Sequence, residues 1–129
     1  MPLKESARLA LIVEDSPTQS MNIKALLENA GLRCALATNG QTGLYLAQSL
    51  LPDIIILDFE MPQLNGIQVA AKLKEEPATA DIPIIMMTRF SPDDFGAQGK
   101  EMGFVKFIPK DVFADAVLLE TLRQMGIIK

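Results

Sequence analysis

The chain has 129 residues, 49% hydrophobic and 22% charged, which fits one globular domain with a real core and excludes an intrinsically disordered segment. A net charge of −4 argues against nonspecific nucleic-acid binding, and the absence of histidine excludes histidine acid–base work and the usual zinc sites. The single cysteine excludes a disulfide within the chain, and the apolar run near the start is too short for a signal peptide or a membrane span. These features point to the cytoplasm, with no direct membrane or nucleic-acid partner.

In chain order, "RLALIVED" reads as a first strand. Ser16-Pro17 supplies a cap and a first-turn proline for a helix through "TQSMNIKALLENA", with Ile23, Leu26, Leu27 and Ala30 as its apolar stripe. Gly31 ends it. "LRCALAT" is a second strand, with Cys34 as a small core residue. Asn39-Gly40 then turns into a second helix, "NGQTGLYLAQSLL". "PDIIILD" is the third strand, and "NGIQVAAKLKEE" a third helix stopped near Pro77. "DIPIIMMT" is the fourth strand and "SPDDFGAQGKEMG" a fourth helix. Gly96 and Gly99 each cost that segment about 1 kcal/mol, so it is expected to be short or mobile. "FVKFI" is the fifth strand. "FADAVLLETLRQM" is the last helix, with Val117, Leu118, Thr121, Leu122 and Met125 toward the core.

Five strands alternating with helices imply an α/β fold, a doubly wound parallel sheet with helices on both faces. Strands "IIIL" and "IPIIMM" are continuously apolar, as strands covered on both faces should be. Ligands of such sheets bind outside the carboxyl ends of the strands. There the sequence places Glu14 and Asp15 after strand one and Asp58 at the end of strand three, with Glu60 two residues later. Thr88 ends strand four and Lys110 follows strand five. Carboxylates so close would repel unless a proton or a cation intervened. Oxygen-only ligands favour Mg²⁺ or Mn²⁺. A carboxylate beside that ion can act as nucleophile on a phosphoryl group, with Lys110 and Thr88 neutralising its oxygens. Taken singly, an acid doublet, a strand-ending threonine or a lysine is ordinary surface chemistry. Their convergence on one edge of the sheet is not. Glu76, Asp81, Asp93, Asp94, Asp111 and Asp115 show no such convergence and read as solvent-facing or capping.

"DFEMPQLNG" matches the Asp-x-x-Met-Pro-x-x-x-Gly pattern of response-regulator receiver domains, and "VEDS", "MMT" and "FIPK" follow that family's order and spacing. Over about residues 8–125 the chain resembles a CheY-like receiver of two-component signalling. The resemblance implies a flavodoxin-like strand order 2-1-3-4-5 and a single receiver domain spanning 1–129. It implies Asp58 as phosphoacceptor, with Asp15 binding Mg²⁺ directly, Glu14 through water and Glu60 through its backbone carbonyl. Thr88 and Phe107 would be the switch residues, and Lys110 would pair with the phosphoryl group. The partner would be a histidine kinase or a phosphotransfer protein of a phosphorelay. The output surface would be segment 91–103, strand five and the last helix, facing an effector protein or a tethered output domain. Such a domain is not an enzyme beyond its self-catalysed gain and loss of phosphate.

Three departures mark this chain. Arg89 replaces the small residue usual after the threonine, where it could narrow access to Asp58 or contact phosphate. Lys110 is followed by Asp111 in place of proline, so a trans bond is expected there. Phe107 has no hydroxyl, so an inward rotamer would act by packing alone. Three other readings compete: a receiver-like interaction module working without phosphorylation, a flavin-binding domain, and a phosphatase. The intact acidic set opposes the first. The acidic first loop, without a glycine-rich phosphate cradle, opposes the second. The lack of an insertion large enough for a substrate cap opposes the third.

Overall fold

The computed structural model describes residues 7–90 and 105–129. Five strands form one parallel sheet: β1 (Leu9–Val13), β2 (Arg33–Ala37), β3 (Ile54–Asp58), β4 (Ile84–Thr88) and β5 (Val105–Pro109). Their order is β2-β1-β3-β4-β5, the flavodoxin-like order expected from the sequence. Among the described residues the helices are α1 (Pro17–Asn29), α2 (Gly40–Leu50), α3 (Gly66–Glu75) and α4 (Ala114–Gln124). The expected helix over 91–103 lies outside the described residues.

Strand β3 and strand β4 are buried along their whole length, because helices cover both faces of the sheet. Residue alternation divides the core in two. Leu11, Val13, Ile55, Leu57 and Met86 face α2 and α3, where Ala47, Val69, Ala70 and Leu73 complete one layer. Ala10, Ile12, Ile54, Ile56 and Ile85 face α1 and α4, where Leu27, Leu118 and Leu122 complete the other. Cys34 packs at the edge of that second layer.

The helix starts follow local chemistry. The Ser16 hydroxyl accepts the Gln19 amide at 3.3 Å, with Pro17 in the first turn. Asn39 accepts the Thr42 amide at 2.8 Å. Asn65 and Gln68 form a reciprocal capping box, each side chain accepting the other's amide at 2.9 Å. Helix α4 departs from expectation in one place. Val117 is 40% exposed, so its apolar stripe is narrower than the spacing implied, with Leu118 and Leu122 carrying the burial.

Candidate functional site

The carboxyl ends of β1, β3, β4 and β5 meet on one edge of the sheet, and each delivers one part of the site. The Glu14 amide donates to the Ala37 carbonyl at 3.0 Å, which carries the β1–β2 ladder one residue past Val13. Asp58 is the last residue of β3. The Lys110 amide donates to the Thr88 carbonyl at 2.9 Å, which locks the end of β5 to the end of β4. The turn after Asp58 depends on Gly66. A Cβ there would lie 2.9 Å from the Asp58 carbonyl oxygen and 2.9 Å from the Phe59 Cα, so no side chain fits without moving backbone. Its amide donates to the Phe59 carbonyl at 3.0 Å, which folds the loop back under the strand end. That contact is the physical content of the glycine in "DFEMPQLNG".

Glu14, Asp15 and Asp58 each offer a carboxylate oxygen, and these atoms lie within 4.8 Å of one another. Glu14 and Asp58 are each only 3% exposed, whereas Asp15 is exposed. Burial pushes the Glu14 carboxyl up to about 7, and the Asp58 charge adds to the rise. The Ser16 amide, donating to Glu14 Oε2 at 3.1 Å, opposes it. Lys110 Nζ donates to Asp58 Oδ1 and stands 3.5 Å from Glu60 Oε1. So a half-buried ammonium balances part of the negative charge at the strand ends. Ser16 and Gln19 also line the cleft, which holds about 400 Å³. The sequence offered no chemical signal for them beyond their place at the start of α1.

The donor set suits a hard divalent cation. All three groups are oxygens, two are withdrawn from water, and the proton retained by Glu14 near neutral pH is one a cation would displace. The Glu60 side chain is not part of this group. It turns to Arg89, whose Nε donates to both of its oxygens, at 3.1 and 3.0 Å, and whose Nη2 also reaches Oε2. The Arg89 bond is the main reason the Glu60 carboxyl is held below its ordinary value. Arg89 and Glu60 both line the cleft.

Thr88 is fully buried, and its hydroxyl oxygen accepts the Phe90 amide at 2.9 Å. It therefore stands behind the residues that line the cleft and does not join them. Phe107 is half-buried and packs against the α2/α3 layer. Phe59 and Phe90 meet edge to face with centroids 5.7 Å apart. No cis peptide bond occurs among the described residues, so Lys110–Asp111 is trans as expected.

Comparison with known proteins gives a consistent placement. The family model described as response regulator receiver domain matches residues 10–123. Protein PilH of Pseudomonas aeruginosa is 35% identical over 108 residues, which cover 84% of this chain and 89% of PilH. The phosphate regulon transcriptional regulatory protein PhoB of the same organism is 39% identical over 100 residues, 78% of this chain but 44% of PhoB. Among solved structures, chemotaxis protein CheY4 of Vibrio cholerae superposes with a TM-score of 0.83 at 27% identity, covering 92% of this chain and 98% of CheY4. No described helix is long and apolar enough to cross a membrane. Fold, strand-end chemistry and relatives agree, and the chain belongs to the response-regulator receiver domains of two-component signalling.

Proposed function

We propose that the chain is a phosphorylatable receiver whose phosphoacceptor is Asp58. The observation that carries this is the cluster of Glu14, Asp15 and Asp58 oxygens within 4.8 Å, with Lys110 paired to Asp58. Glu14, Asp15, Asp58 and the Glu60 carbonyl would hold Mg²⁺, or Mn²⁺ in its place. The bound ion supplies charge neutralisation for the phosphoryl oxygens. One oxygen of Asp58 attacks phosphorus. The bond from phosphorus to the donor's imidazole nitrogen breaks, and the electron pair stays with that nitrogen. Lys110 Nζ then follows the new negative charge on the phosphoryl group.

The donor is a histidine kinase or a phosphotransfer protein, and the chain reads as one receiver unit over 1–129. Thr88 is the switch residue. Its hydroxyl would leave the Phe90 amide and donate to the phosphoryl group, while Phe107 follows by packing. The responsive surface would include segment 91–103, β5 and α4, facing an effector protein or an output domain. The test is incubation with acetyl phosphate and Mg²⁺, read by intact mass. A gain of about 80 Da, one phosphoryl group, is expected in the wild type and not in Asp58→Asn. A wild type that stays at its original mass removes the proposal.

A further inference from the structure

The dipeptide Asn-Gly occurs twice in the chain, and the two copies form a matched pair. Asn39 caps α2 and Asn65 caps α3. Each asparagine is half-buried with a buried glycine after it. Each side chain accepts the amide three residues on, at 2.8 and 2.9 Å. Glycine in second place leaves its nitrogen least hindered toward the asparagine side chain. The surroundings of the two pairs differ. The Gly66 amide donates to the Phe59 carbonyl at 3.0 Å, whereas the Gly40 amide has no backbone acceptor among the described residues. Gln68 returns a bond to the Asn65 amide at 2.9 Å, and the cap at Asn39 has no such return. The nearest atoms to a Cβ at Gly66 are backbone, but at Gly40 they are the Val69 and Leu64 side chains, at 2.7 and 2.9 Å. The first turn of α3 buries Ile67 and Val69, while that of α2 carries Gly40 and Gly43 with Gln41 and Thr42 exposed between them. Two glycines make that turn the weaker of the two, and helix ends are where local opening begins.

We propose that Asn39–Gly40 is a site of spontaneous deamidation in the folded chain, and that its twin Asn65–Gly66 is shielded. Water is the sole co-reactant. When the first turn of α2 opens, the Gly40 nitrogen gives its proton to solvent and bonds to Asn39 Cγ. The bond from Cγ to the side-chain nitrogen breaks, and that nitrogen takes a proton from water and leaves as ammonia. A cyclic imide remains. Water then adds at one imide carbonyl, the bond from that carbon to the Gly40 nitrogen breaks, and the nitrogen regains a proton. Opening at Cγ yields aspartate, which still offers Thr42 a cap oxygen and brings a negative charge that a helix N-terminus favours. Opening at the main-chain carbonyl yields isoaspartate, whose main chain runs through Cβ and Cγ and so lengthens the link between β2 and α2. At Asn65 the same closure must break the Gly66 bond to Phe59 and the Gln68 brace before the nitrogen is free.

The test holds the full folded chain in mildly alkaline buffer for weeks, beside a portion unfolded in urea. Cleavage after glutamate puts the two asparagines on separate peptides, because Glu60 lies between them. Mass spectrometry reads the gain of about 1 Da as amide becomes acid, and chromatographic retention separates isoaspartate from aspartate. In the folded chain the Asn39 peptide should convert about fivefold faster than the Asn65 peptide, the scale a retained amide hydrogen bond can set. In urea the two should convert at similar rates. Asn39→Ser keeps a cap oxygen for Thr42 and should leave its peptide at the original mass. Gln68→Ala removes the brace on Asn65 and should narrow the gap. Equal rates in the folded chain, or a faster Asn65, overturn the proposal. So does a folded chain that stays unmodified while the urea portion reacts, or a gain on the Asn39 peptide that survives Asn39→Ser. A gap of the same size in urea overturns it too, since neighbouring residues and not the fold would then set it.

Discussion

The sheet carries a hollow at each end, similar in size and different in chemistry. The one at the carboxyl ends of the strands holds about 400 Å³ and, among the described residues, is lined by polar and charged ones alone. The one at the amino ends holds about 360 Å³ and is walled by Ala7, Ala30, Leu32, Ile127, Ile128 and the backbone of Gly31 and Gly126, with Arg8 and Lys129 beside them. At the amino end the chain closes on itself: the Asp53 amide donates to the Leu9 carbonyl at 2.8 Å, and the Leu9 amide returns a bond to Asp53 Oδ2 at 2.8 Å. That carboxylate is answered by a neutral amide at the surface. At the carboxyl end, Glu14 and Asp58 are buried side by side and answered by Lys110. The difference teaches where the fold gives up stability for chemistry, since buried like charges weaken a folded state that well-paired surface groups do not.

The sharpest way to break this contrast is through its glycines. Gly66→Ala should destabilise by about 3 kcal/mol, since the new methyl meets backbone of Asp58 and Phe59. Gly31→Ala at the other end meets open space and carries only the strain of φ +98°, about 1 kcal/mol. Urea unfolding compares the two directly, and equal losses would remove the distinction.

A pH series sharpens it further. Glu14 holds its proton more tightly when folded, with a value raised from 4.5 to about 7. The folded state then binds more protons, so the stabilisation is complete below pH 4.5 and is lost as pH rises through about 7. The ion-free protein should lose on the order of 2 kcal/mol over that interval relative to Glu14→Gln. Urea midpoints with a chelator at the two pH values check it. Saturating Mg²⁺ should flatten the dependence, because the ion displaces the proton.

Lys110→Ala removes the cation that competes with a metal for Asp58 Oδ1. We expect Mg²⁺ to bind this variant about tenfold more tightly, which is about 1.4 kcal/mol, as calorimetry would read. Asp53→Asn at the opposite end should leave Mg²⁺ affinity unchanged. The smallest effect belongs to the rim. Arg89→Ala should leave the urea midpoint nearly unchanged, since its ion pair with Glu60 is exposed.

Much of this was readable from residues alone, for identifiable reasons. Ile54–Leu57 and Ile84–Met87 announced buried strands because parallel strands covered on both faces need no polar alternation. Glu14, Asp15, Asp58 and Lys110 were readable as a group because parallel strands bring their carboxyl ends to one edge. The Glu60–Arg89 fork was not, because it depends on the register of β3 against β4, which no local pattern encodes. The bond between the Thr88 hydroxyl and the Phe90 amide is a two-residue side-chain contact that competes with the strand-end role inferred for threonine. Val117 was placed inside because helical spacing marks a stripe without fixing its width.

Asp58 is held unequally on its two sides. Toward α3 it abuts Gly66 with no room for even a methyl group, and the Asn65–Gln68 brace stiffens the entry to that helix. Toward β4 the backbone keeps its ladder with Met87, but beyond the strand ends the side-chain neighbour is a solvent-washed arginine fork, cheap to dislodge. Compliance around the strand end is therefore lopsided. A jolt delivered at the acid has an anvil behind it and a hinge in front, so displacement should run across the sheet toward β4 and β5 and leave α3 still.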